Sequence, residues 1–131
     1  MTATALASFE NTKHNSAALG FGPEGCARVA LQRTYSGGLV GESQGELLAC
    51  PTADGVFGYV GLDHFEGTLD GRAGSFVYQH GEMHDQGGRR PFGFIVTGSG
   101  TGELAGLRGE VSISVSPGGA HEVKFEYAFE R

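Results

Sequence analysis

The tetrapeptide Leu69-Asp70-Gly71-Arg72 constrains this chain more than any other feature. Asp-Gly between two strand-like runs signals a two-residue type I′ turn, whose left-handed backbone matches the twist of an antiparallel hairpin. That turn fixes the register. Leu69 then faces Arg72, and counting outward pairs Phe65 with Phe76, Asp63 with Tyr78, Gly61 with His80, Tyr59 with Glu82 and Phe57 with His84. Strand side chains alternate between faces, so these residues share one face. Val56, Val60, Leu62, His64, Glu66, Ser75, Val77, Gln79 and Met83 lie on the other.

The rest of the chain repeats this rhythm. Helical periodicity is nearly absent, and β-rich runs recur about every ten residues, broken by Gly, Pro, Asp and Ser. Strands are expected at 5–13, 26–35, 39–50, 56–69, 72–83, 91–98, 109–116 and 121–130. The last two alternate most cleanly: Val111, Ile113 and Val115, then Val123, Phe125, Tyr127 and Phe129, are interleaved mainly with polar residues. Eight sequential antiparallel strands leave exposed edges unless the sheet closes. An all-β, eight-stranded antiparallel barrel spanning 1–131 as one domain is therefore expected, with a two-sheet sandwich as the competing arrangement. Glu103-Leu104-Ala105-Gly106 suggests one short helical turn near 102–106.

Length and charge narrow the function classes. A chain of 131 residues can bury a core without metal or disulfide staples. Its net charge of −6, with no basic stripe, argues against a nucleic-acid partner. No apolar run has the length of a membrane helix and no signal-like segment opens the sequence, so no membrane association and a cytoplasmic location are expected.

A second hairpin reads around Gly37-Gly38 as a two-residue turn, pairing Ser36 with Leu39 and Arg33 with Glu42 in a cross-strand ion pair. In that register Cys26 faces Ala49, which turns Cys50 to the other face and leaves both thiols free.

The candidate chemistry lies on the first hairpin's aromatic face, assigned to the barrel interior. Asp63 and His80 are diagonal neighbours there, a carboxylate beside an imidazole suited to proton transfer. Phe57, Tyr59, Phe65, Phe76, Tyr78 and Glu82 surround them as candidate substrate-binding residues, with Gly61 opposite His80 leaving a gap for a ligand. His80, Glu82 and His84 alternate like ligands on a strand, but no further partner is fixed, and solvated residues at a barrel mouth account for them; no metal and no cofactor are expected. The GxGxxA run from Gly98 lacks the strand, helix and crossover of a dinucleotide site, so it reads as a glycine-rich corner. Outward-facing Val60, Leu62 and Val77 form an apolar patch that suggests a homodimer.

The stretches Gly61–Asp63, Gly67–His80 and Gly98–Gly109 resemble a bacterial family of domains of unknown function, number 3224, over most of the chain from Arg28 onward. That family in turn resembles the allene oxide cyclase barrels, which enclose a cavity. The resemblance implies a barrel, and it matches Asp63-His64 and Gln79-His80 to an acidic-basic pair and a Gln-His pair in the family pattern. The leading functional expectation is a cofactor-free isomerase or cyclase acting on a small hydrophobic molecule, with Asp63 and His80 catalytic. The alternatives are a carrier that binds such a molecule unchanged, and a filled barrel acting through its outer surface.

Overall fold

The structure, a computed structural model, describes residues 2–130. Eight strands run in chain order: β1 (Ala3–Ala18), β2 (Ala27–Gly37), β3 (Leu39–Ala53), β4 (Val56–Leu69), β5 (Arg72–Asp85), β6 (Gly88–Ile95), β7 (Leu107–Val115) and β8 (His121–Phe129). Each pairs antiparallel with the next, and β1 returns to β8 through Ala3–Phe9 against Tyr127–His121, closing the ring. Closure satisfies the edge hydrogen bonds that an open sheet would leave bare.

Alternation explains the core. Ala5, Ala7 and Phe9 of β1, Leu31 and Tyr35 of β2, Phe65 of β4, Phe76 and Tyr78 of β5 and Val123 and Phe125 of β8 all point inward. Burying each large side chain removes apolar surface from water at about 25 cal/mol per Å². The aromatic rings interlock edge to face, with Phe125 against both Phe76 and Tyr78.

One end of the ring is stoppered. The Gly98–Gly106 corner forms a single 3₁₀ turn over Gly102–Leu104, matching the expected short helical turn, and Leu104 seals the end beside Leu39, Leu69 and Leu107. Thr101 and Glu103 accept backbone N–H groups of Ser75 and Ala73, holding this plug against β5. The opposite end, the barrel mouth of the sequence expectation, carries the longer β1–β2 connection and the other three hairpin turns.

The central hairpin has the register set by Asp70-Gly71, from Leu69↔Arg72 through Phe57↔His84. Asp70 adopts the left-handed conformation, φ 47°, that this turn demands. The second hairpin departs from expectation by one residue. Arg33 pairs with Ser43 rather than Glu42, and Thr34 takes Glu42. The cause lies outside the hairpin: Gly38 donates to the Leu6 carbonyl and accepts from Asp70 N–H, so β1 and the neighbouring turn hold the corner. A one-residue slip reverses the faces. The expected Arg33–Glu42 ion pair is therefore absent, and Arg33 enters the barrel. Continuing the same register brings Cys26 opposite Cys50, not Ala49; both thiols are free.

Candidate functional site

Asp63 and His80 meet inside the barrel. His80 Nε2 lies 2.7 Å from Asp63 Oδ2, and both side chains are buried. The diagonal juxtaposition follows from the β4–β5 register, which places Gly61 across from His80 and Asp63 across from Tyr78. On β3, Gly45 is the cross-strand partner of Asp63, and its missing Cβ makes room for the carboxylate: an ideal Cβ there would stand 2.5 Å from Oδ1.

The other carboxylate oxygen organises a line of hydroxyls. Ser43 Oγ donates to Asp63 Oδ1 at 2.9 Å, Tyr35 OH lies 2.8 Å from Ser43 Oγ, and Tyr78 OH lies 2.6 Å from Tyr35 OH. An ionised carboxylate only accepts, so the chain is polarised from Tyr78 through Tyr35 and Ser43 to Asp63. Burial alone would raise the Asp63 pKa, but the His80 hydrogen bond, the Arg33 charge, the His80 charge and the Ser43 bond together hold it below its ordinary value. Burial foremost, then the Asp63 charge, pushes Tyr35 up to about 12 and contributes to raising Tyr78 well above its usual range. The phenols stay protonated as donors.

Because Asp63 is ionised, it takes the N–H of His80 Nε2 and leaves Nδ1 toward the mouth. Tyr59 OH lies 3.3 Å from Nδ1, and Tyr59 is half-buried, between the couple and the mouth. Burial raises its pKa too. In this arrangement Asp63 orients His80 through Nε2, and Nδ1 and the Tyr59 hydroxyl are the groups of the couple that can exchange a proton.

The remaining expected residues divide. Phe65, Phe76 and Tyr78 are fully buried and packed on one another beneath the couple, as its floor. Phe57 packs against His84 near the mouth, with ring centroids 5.2 Å apart. Glu82 is buried, but both its oxygens accept from Arg89 at 2.7 Å. The gap expected at Gly61 is filled: an ideal Cβ there would lie 2.4 Å from Leu47 Cδ2. His64 and Gln79 face outward, so of the two family-matched pairs only Asp63 and His80 point in.

Sequence reasoning missed Arg33, Ser43 and Tyr35. A signal was available, since Arg33 alternates with Leu31 and Tyr35 on one strand and two apolar neighbours at i±2 imply an inward face. Arg33 Nε lies 3.6 Å from Asp63 Oδ1, and its guanidinium carbon sits 4.7 Å from the centre of the Phe9 ring. Burial works against its charge, but the Asp63 carboxylate favours it, and the Arg33 pKa lies above its ordinary value.

The fold and this inward polar line define an all-β closed-ring protein with a buried acid–base couple. By the match of residues 4–127 to the family described as "Protein of unknown function (DUF3224)", the chain belongs to that family. It is similar over its whole length, and over the whole of the other chain, to the crystal structure of a protein of unknown function from the same family of Shewanella oneidensis MR-1, with 34% identity and a TM-score of 0.89. A comparison with curated proteins gives no match. No helix among the described residues is long and apolar enough to cross a membrane.

Proposed function

We propose that the mouth of the barrel receives a small, mainly apolar molecule and that the protein moves one of its protons without a cofactor, in an isomerisation or ring closure. The observation that carries this reading is the way His80 is held at both ring nitrogens, by ionised Asp63 on the inside and by Tyr59 toward the mouth. His80 Nδ1 takes a proton from a carbon beside a carbonyl, directly or through the Tyr59 hydroxyl, and Asp63 stabilises the imidazolium that results. Return of that proton to another atom of the same molecule completes an isomerisation with no net gain or loss. Phe57 and Tyr59 supply the apolar wall, and holding the substrate in a reactive geometry supplies the rest of the acceleration. The allene oxide cyclase resemblance points the same way by analogy.

Proton transfer is testable before the substrate is known. A panel of apolar cyclic ketones and enones is incubated in D₂O, and exchange of the protons beside the carbonyl is followed by NMR. Wild-type protein should accelerate exchange of at least one member, with Asp63→Asn and His80→Phe returned to the buffer rate. No acceleration across the panel, or acceleration unaffected by either change, removes the reading.

A second reading rests on the outer wall. Leu48, Val60, Leu62 and Phe92 are 39–52% exposed and line a groove of about 730 Å³ beside Arg28 and Glu46. Apolar side chains this concentrated on the outside of a barrel favour a surface that meets another copy of the chain, and a homodimer is proposed on that basis.

A further inference from the structure

Arg33 and Ser43, a cross-strand pair of the β2–β3 ladder, point inward. Cys26 lies seven residues before Arg33, and Cys50 lies seven residues after Ser43. An odd count reverses the face, so both thiols project from the outer side of the ring, at the mouth end. The ladder ends at Ala27↔Ala49, and its next pair sets the two thiols opposite each other.

Hydrogen bonding shows which kind of pair this is. Cys26 N–H donates to the Pro23 carbonyl, and its own carbonyl accepts from Leu19 N–H, so both main-chain groups turn away from β3. Cys26 and Cys50 therefore occupy a non-hydrogen-bonded site, where facing Cα atoms stand about 4.5 Å apart and side chains approach most closely. That spacing lies within the about 4.4–6.8 Å that a disulfide spans, so a bridge requires no shift of either strand. Among the described residues no third His, Cys, Asp or Glu joins the two thiols, which offers a structural zinc ion too few ligands.

The two sulfurs differ in access. Cys26 is 8% exposed although it faces outward, whereas Cys50 is half-buried. The hydrogen bond with Cys50, and after it burial, raises the Cys26 pKa above the ordinary thiol value. Cys50 is accordingly the first to meet a reagent from solvent.

We infer that Cys26 and Cys50 are a reactive dithiol that closes into an intrachain disulfide by exchange with a small disulfide such as oxidised glutathione, clasping the β1–β2 connection to the end of β3. The Cys50 thiolate, its proton released to solvent, attacks one sulfur of the small disulfide. A mixed disulfide forms and one small thiolate leaves. Cys26, losing its own proton, then attacks the Cys50 sulfur and expels the second thiolate. The protein loses two electrons and two protons, and the small disulfide is reduced to two thiols. The clasp acts on the connection because Cys26 holds both Leu19 and Pro23 through its main chain. It is independent of proton transfer at His80.

The test incubates folded, fully reduced protein with excess oxidised glutathione and follows intact mass, free-thiol count and amide hydrogen exchange. Wild type should lose both thiols, with a mass lower by two hydrogens, remain a single chain on a non-reducing gel, and recover both thiols in dithiothreitol. Exchange of the amides from Leu19 to Cys26 should slow several-fold in the oxidised form. Cys26→Ser, which keeps the accessible thiol, should gain one glutathionyl group, and Cys50→Ser should gain none. Leu48 of the outer groove lies two residues from Cys50, so a bridge between copies is the rival product. Two thiols that persist in the wild type, covalent dimers in place of the intrachain bridge, unchanged exchange on oxidation, or glutathionylation of Cys50→Ser in preference to Cys26→Ser overturns the inference.

Discussion

Asp63 and Gly45 are cross-strand partners with no space between them for a methyl group. The carboxylate rests where a Cβ on residue 45 would have to be, and that same Cβ would stand 2.4 Å from the Leu62 carbonyl oxygen. The acid–base couple is therefore seated on a glycine, and the orientation of Asp63 depends on a residue with no side chain of its own.

Gly45→Ala should lower stability by about 1–3 kcal/mol, the usual range for forcing volume into a packed site. Gly58→Ala is the control, since the nearest atom to its added Cβ, Met83 Sδ, lies at an ordinary 3.6 Å. Urea denaturation followed by circular dichroism checks both. Equal midpoints for the two variants would mean that Gly45 has no seating role.

The depressed pKa of Asp63 makes stability depend on acid. Its folded value lies below its unfolded one, so the contribution is present above the unfolded pKa, about 4 for an aspartate, and is lost as pH falls through the folded value. Asp63→Asn, which leaves Arg33 buried without a counter-charge, should cost on the order of 3–5 kcal/mol near neutrality. The difference between wild type and variant should shrink as pH drops below about 4. A pH-independent difference would show that the charge of Asp63 contributes nothing.

All four tyrosines are displaced upward, with Tyr35 and Tyr127 reaching about 12. For Tyr127 burial leads, followed by the hydrogen bond it donates to Asp70 of the hairpin turn. A raised folded pKa means stability that is full below the unfolded value, about 10, and lost as pH climbs through the folded values. The phenolate absorbance near 295 nm should then rise late and together with loss of the β circular-dichroism signal. A phenol titrating near pH 10 in still-folded protein would contradict this.

The outer apolar wall predicts association. Light scattering with size-exclusion chromatography should give twice the chain mass for wild type and a single chain mass for Leu62→Glu, since Leu62 lines the groove and is 52% exposed. A monomeric wild type, or a Leu62→Glu variant that remains dimeric, would remove this face as the contact.

How far the sequence reaches depends on whether a turn is governed by its own residues. Asp70-Gly71 closes β4–β5 by local backbone chemistry, and every pair from Leu69↔Arg72 to Phe57↔His84, with the meeting of Asp63 and His80, follows from it. Gly37-Gly38 is governed instead by Leu6 and Asp70, residues distant in sequence, and a two-residue turn misplaces its register by one. That slip hid Arg33 and Ser43, because it assigned Arg33 to the face of Glu42. Leu47 filling the space beside Gly61 was equally out of reach, since it depends on how closely β3 and β4 approach.

The seam between β1 and β8 carries a topological consequence. Ala3 pairs with Tyr127, so the two ends of the described chain lie side by side at the stoppered end, while the Asp54-Gly55 turn sits at the mouth. In a ring where each strand hydrogen-bonds only to its sequence neighbours, and the first to the last, no strand is intrinsically first. A circularly permuted gene that joined Thr2 to Glu130 through a short linker and began at Gly55 would preserve every ladder and lose only the covalent link between β3 and β4. It would also place a free chain end beside the mouth, where a tether or reporter could be attached without disturbing the plug.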